Sequence, residues 1–130
     1  MKKAFFSSLC AVLVLTLVSC TKNLEDRLPG TWNVTEVKSE PASGSSASTS
    51  TNVGTMTFVA DGTGSYNLTF FGNTVNGGFA WVAADNNANV TISGFNVVAG
   101  AYTVVTNKNN KQVWQRLDSN GDKYTYTLER

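Results

Sequence analysis

Leu28-Pro29-Gly30-Thr31-Trp32-Asn33-Val34-Thr35-Glu36-Val37 is the stretch on which the reading of the fold turns. Proline and glycine end the preceding chain, and the residues after them alternate apolar and polar, the pattern of a half-buried strand. The strand opens on an indole, a large ring with one N–H donor, which is stable where its body is covered and its edge finds an acceptor. Trp32 is therefore expected to plug the closed end of a small β-barrel built from everything that follows.

Downstream of this strand the chain repeats strand and turn. Thr55–Val59 runs into Asp61-Gly62, a dipeptide that tolerates the positive φ of a tight hairpin. In Ser65–Phe70, Tyr66, Leu68 and Phe70 share one face. Further strands are expected at Phe79–Ala83, Asn89–Ser93, Ala101–Val105, Gln112–Leu117 and Lys123–Glu129, with turns at Asp85-Asn86-Asn87, Asn107–Asn110 and Asn120-Gly121. In the last strand Tyr124, Tyr126 and Leu128 face inward. In Gln112–Leu117, Val113, Gln115 and Leu117 alternate with Gln112, Trp114 and Arg116, and the pattern leaves open which set is inside.

Three stretches read as interruptions. Ser39–Asn52 is almost wholly Ser, Ala, Thr and Gly, too poor in apolar surface to offset the entropy of ordering, so a mobile loop is expected, either a lid or an insertion. Gly72-Asn73 to Gly77-Gly78 should loosen the chain. Gly94–Gly100 is compatible with a mouth-lining loop or a slipped strand. The sum is an all-β domain of eight antiparallel strands, roughly five to seven residues each, with no helix. Short meander connections favour an up-and-down barrel, which leaves no exposed edges; a two-sheet sandwich is the alternative.

Upstream, Lys2-Lys3 precede an apolar run, Ala4 to Val18, of the length of a secretory h-region and shorter than a membrane span. The run ends in Leu17-Val18-Ser19-Cys20, which resembles the bacterial lipobox. That resemblance implies cleavage before Cys20 and a lipid on its thiol. Residues 1–19 then form a lipoprotein signal peptide, 20–27 a polar lipid-anchored tether and 28–130 the barrel domain. Glu25-Asp26 in the tether resembles the surface-export signal of some lipoproteins, and a solvated linker is the simpler reading. Thr21 stands where an Asp would imply inner-membrane retention, so the expected destination is the outer membrane of the cell envelope, held firmly by the acyl chains.

Removing residues 1–19 from the 130 leaves 111, enough for one core. Ten basic and nine acidic residues become eight and nine once Lys2 and Lys3 leave. Such a balance suggests no nucleic-acid partner. Cys10 departs with the signal and Cys20 is occupied by lipid, so no disulfide is expected.

Taken with the lipobox and tether, Gly30-Thr31-Trp32, Gly54-Thr55-Met56-Thr57-Phe58, Asp61-Gly62-Thr63-Gly64-Ser65-Tyr66 and the ending Tyr126–Arg130 resemble the bacterial lipocalin-like lipoproteins. The resemblance implies a lipocalin-like barrel in which Arg130 lies across Trp32 and closes the barrel; Arg116, beside Trp114, is a rival for such stacking. The chain is shorter than larger lipocalins and lacks their helix after the last strand.

The sequence contains no His, and its two cysteines are spoken for, so imidazole and thiolate chemistry are not expected. No metal site is expected either: Asp118–Asp122 resembles part of a calcium loop but lacks the downstream Glu, and a hairpin turn explains it. The other aspartates also fall on turns. The chain thus reads as a non-enzyme without cofactor. The abundance of inward rings points to a filled core, with any small apolar or amphipathic ligand held near a mouth by Tyr66, Trp81, Tyr102 or Tyr126. The other reading is a structural or accessory lipoprotein that docks an envelope protein.

Overall fold

The computed structural model describes residues 23–84, 86–94 and 96–130. The signal peptide, Cys20, Asp85 and Phe95 lie outside the described residues.

One helical turn, α1 (Leu24–Arg27), precedes eight strands: β1 (Gly30–Glu40), β2 (Ser48–Phe58), β3 (Thr63–Phe70), β4 (Asn73–Ala84), β5 (Asn89–Ser93), β6 (Gly100–Asn107), β7 (Lys111–Leu117) and β8 (Lys123–Glu129). Each strand pairs antiparallel with the next, and β8 returns to β1 from Asn33↔Glu129 to Glu40↔Lys123, so the sheet closes into an up-and-down barrel. Closure excludes the two-sheet sandwich. A bulge between Val34 and Glu36 interrupts the register of β1 with both neighbours, letting one long strand curve around the barrel.

The turns β2–β3, β4–β5 and β6–β7 gather at one end with α1 and the C-terminus. The turns β1–β2, β3–β4 and β7–β8 and the β5–β6 loop form the other end. Inward positions carry Trp32, Met56, Phe58, Tyr66, Leu68, Phe79, Trp81, Val90, Ile92, Tyr102, Trp114, Tyr126 and Leu128, all buried. Phe58 makes edge contacts with Phe79, Trp81 and Trp114 at centroid distances of 5.3, 5.6 and 5.7 Å, so the lower barrel is a packed set of rings.

Three expectations are corrected. Half of Ser39–Asn52 is strand, with Ser39↔Ser48, Lys38↔Thr49, Val37↔Ser50 and Glu36↔Thr51 paired, leaving the connection at 41–47. Backbone pairing with β1 orders a segment whose side chains bury little. Nor does the chain loosen from Gly72 to Gly78: β4 begins at Asn73, and Gly77 lies opposite Tyr66, where a Cβ would press on the phenol ring. The glycines there make room for rings. For Gly94–Gly100, where loop and slipped strand were both open, the described residues before Gly100 form a loop and Gly100 begins β6. Lastly, the chain is not free of helix, since α1 buries Leu24 completely, one turn before an equally buried Leu28. One leucine pair in a polar segment is too short a signal for periodicity to reveal.

Gly54 marks a close approach of two backbones. Its φ is +143°, and a Cβ would overlap the carbonyl of Asn67 on β3.

Candidate binding site at the barrel mouth

The closed end is sealed from the residues up. Trp32 is fully buried and its Nε1 donates to the Leu28 carbonyl at 2.9 Å. The Arg130 guanidinium lies over the indole, 4.2 Å from the ring centroid. It also donates to the carbonyls of Arg27 (2.9 Å), Asn109 (3.0 Å) and Pro29 (3.2 Å), joining the last residue to the segment before β1 and to the β6–β7 turn. Arg116, the rival, is elsewhere: it faces Tyr102 and Tyr124, at the other end of the barrel.

A buried polar relay runs inward from α1. Arg27 Nη1 donates to the carbonyl and side-chain oxygens of Asn107, Gln112 Nε2 donates to Asn107 Oδ1 at 2.7 Å, and Trp114 Nε1 donates to Gln112 Oε1 at 3.2 Å. Gln112 is completely buried. Sequence reading missed it because a glutamine beside Val113 does not advertise an inward face; Trp114 two residues on was the available signal. The structure settles the open alternation in favour of Gln112, Trp114 and Arg116 inside, with Leu117 69% exposed.

The mouth is built differently. The topmost inward residues, Ser39, Ser50, Phe70, Val75, Arg116 and Tyr124, are all half-buried. Phe70, Val75 and Tyr124 pack on the core below while keeping part of their surface in solvent. Exposed Phe71 and Val97 add apolar surface at the rim. The result is a mixed surface, apolar at Phe70 and Val75 and hydroxyl-bearing at Ser39, Ser50 and Tyr124, above Tyr102 and Tyr126 in edge contact at 5.5 Å.

Tyr66, Trp81, Tyr102 and Tyr126, the expected ligand contacts, are all buried as part of the core rather than gathered at the rim. Trp81 lies toward the closed end, donating to the carbonyls of Val59 and Thr63, both at 3.0 Å. Tyr66 stacks on Phe79 in the barrel's interior. Tyr102 and Tyr126 are nearer the mouth, but as its floor. The residues that meet solvent there are Phe70, Val75, Tyr124 and Arg116. Strand alternation shows which residues point inward, but not how deep each one sits.

Residues 96–99 of the β5–β6 loop pack at the mouth. Val98 is fully buried, and its carbonyl accepts from the Tyr102 hydroxyl at 2.6 Å. Arg116 donates to the carbonyls of Val97 (3.2 Å) and Ala99 (3.5 Å), the second at the limit of a hydrogen bond. Burial, with lesser contributions from its neighbours, pushes the Tyr102 hydroxyl far above its ordinary pKa, so it remains a neutral donor. For Arg116, burial opposes the charge, but the surrounding tyrosines outweigh it and raise its pKa.

Three clefts of about 240, 430 and 390 Å³ border α1 and the β4–β5 turn, the β1–β2 bulge, and the β6–β7 surface respectively. None is lined by an aromatic side chain. Among the described residues, no group of three or more acidic or thiol side chains could hold a metal.

No family model matches the chain, and no curated protein sequence matches it. Among solved structures it is similar to a redesigned β-barrel, with a TM-score of 0.47 and 19% identity, covering 83% of this chain and 95% of that one. It is also similar to a deswapped triple mutant of bovine odorant binding protein, with a TM-score of 0.48 and 14% identity, covering 80% of this chain and 74% of that one.

Proposed function

We propose that the protein is a lipid-anchored, lipocalin-like envelope lipoprotein of the outer membrane that binds a small amphipathic molecule at its mouth. The observation that carries the binding reading is the half-buried upper layer, Phe70, Val75, Tyr124 and Arg116, above a core that is otherwise closed. A shallow mixed surface of this kind suits a small ligand with an apolar body and a polar end. The interior beneath is filled by rings, so a ligand rests on the mouth surface and does not enter the barrel.

The lipobox resemblance supports the anchor at Cys20. Only Thr21 and Lys22 separate that cysteine from Asn23, where the helical cap begins. The intervening chain reaches roughly 10 Å at full extension. With α1 packed at the closed end, a lipid on Cys20 keeps that end beside the bilayer and turns the mouth toward the aqueous side.

Detergent-phase partitioning and intact mass test the anchor. The account expects the lipidated chain in the detergent phase and Cys20→Ala in the aqueous phase; an unlipidated Cys20 would remove the anchor while leaving the mouth untouched. For binding, amide NMR titration with a panel of small amphiphiles is expected to shift residues around Phe70, Val75 and Tyr124. Absence of any shift there at millimolar ligand would overturn the binding reading and leave protein docking as the function.

A further inference from the structure

Arg116 sits uneasily as a purely structural residue. It points inward from β7, half-buried, and among the described residues no carboxylate pairs with it; the ion pairs there are Lys38–Glu40, Lys123–Glu40 and Lys111–Glu129. Its Nε is buried with no hydrogen-bond partner. Its Nη atoms reach main-chain oxygens at Val97 (3.2 Å) and, at the limit of a hydrogen bond, Ala99 (3.5 Å). Around it stand aromatic faces and hydroxyls: its Cζ lies 4.9 Å from the Tyr124 ring centroid and 5.7 Å from that of Tyr102, and the Tyr126 hydroxyl lies against it. Gly100 keeps the space beside the guanidinium stem clear, since a Cβ there would press on Arg116 Cδ. The site thus holds a desolvated cation, donors and apolar walls, and lacks an anion.

We propose that the mouth selects an amphiphile carrying a carboxylate, whose head pairs with Arg116 and whose apolar body lies over Tyr124, Phe70 and Val75. The inference rests on the mouth being the ligand site, and adds the charge and orientation of the ligand. A carboxylate that displaces the Val97 carbonyl from Nη2 also reaches Nε. The side-on edge of the guanidinium then carries two parallel charge-assisted bonds in place of one long one.

The test compares two probes of equal chain length, octanoate and 1-octanol, titrated against the full chain in lipid nanodiscs with empty nanodiscs as the blank. Heat and the Arg116 Nε–H NMR signal are the readouts. Octanoate is expected to bind at least about tenfold more tightly than octanol and to shift the Nε–H signal. In Arg116→Gln, octanoate should fall to the level of octanol, with octanol unchanged. If octanol binds the wild type as tightly, or if the octanoate advantage persists in Arg116→Gln, the anion site is wrong although the mouth still binds. If neither probe binds, the mouth reading fails and the inference with it. The wild-type comparison needs no variant, so a folding defect in Arg116→Gln leaves the test intact.

Discussion

At the closed end of the barrel a single indole is fully covered, its N–H is satisfied, and an arginine from the chain terminus lies across it with all its bonds made to main-chain carbonyls. At the mouth an arginine again lies over aromatic rings, but at 4.9 and 5.7 Å, with long bonds and one donor left unmatched. Both ends therefore use a guanidinium against aromatic faces. Among the buried side-chain donors described at the closed end, Arg27 Nε lacks a partner, while each of the three Arg130 guanidinium nitrogens makes one bond. The first arrangement clasps three main-chain carbonyls; the second keeps a buried Nε without a partner, and the proposed ligand site rests on it. The difference lies in what surrounds each cation, since residue types are nearly the same.

Substitutions at the two ends should accordingly differ in kind. The largest effect is expected from Trp32→Ala, which removes the plug and should cost about 3–5 kcal/mol in urea unfolding. A comparably large loss from Tyr124→Ala would break the comparison, because that ring is half in solvent. Gln112→Ala is expected next: it leaves the buried Trp114 N–H without an acceptor, at about 1–3 kcal/mol, with Trp114 fluorescence reporting the change.

Arg130→Ala should follow at about 1–2 kcal/mol, since the stacking and carbonyl bonds are partly exposed. Arg130→Lys should recover only part of this, because an ammonium cannot match three carbonyls and a ring face together. At the mouth, Phe70→Ser is expected to weaken amphiphile binding while moving the urea midpoint less than any of these.

The smallest effect concerns acid. Glu40 at the mouth rim is held below its ordinary pKa by hydrogen bonds to Lys123 and Lys38, and Asp61 in the β2–β3 turn by hydrogen bonds to Thr63. Carboxylates depressed in the folded state stabilise it above the ordinary carboxylate range, and that contribution is lost as pH falls through the lowered values. Both are solvent-exposed, so the slope is shallow. Glu40→Gln should flatten the mouth's share of it, read as Tm against pH, while leaving that of Asp61.

Much of the barrel was legible before any coordinates. All eight strands, the Asp61-Gly62 hairpin and the inward faces of β3 and β8 followed from two-residue alternation, and the Trp32–Arg130 pair followed from a family resemblance. Alternation could not report depth, which is why Trp81 was expected at a mouth although it lies toward the closed end. Composition also misled where pairing, rather than burial, orders the backbone, as in Ser48–Asn52. Gly77, read as part of a break, proved to be a space for the Tyr66 ring. Arg116 was visible only as a rival for stacking, because its lack of a counter-ion among the described residues depends on strands far apart in the chain.

Site-resolved amide hydrogen exchange tests the central claim, a sealed barrel with one tight and one loose end, most directly. The account predicts that amides along the β1–β8 seam and around Trp32, Trp81 and Trp114 exchange only through global unfolding, while those of Ser48–Asn52 and Val97–Ala99 exchange earlier. Fast exchange along the β1–β8 seam, or protection at the mouth equal to that at the closed end, would contradict it.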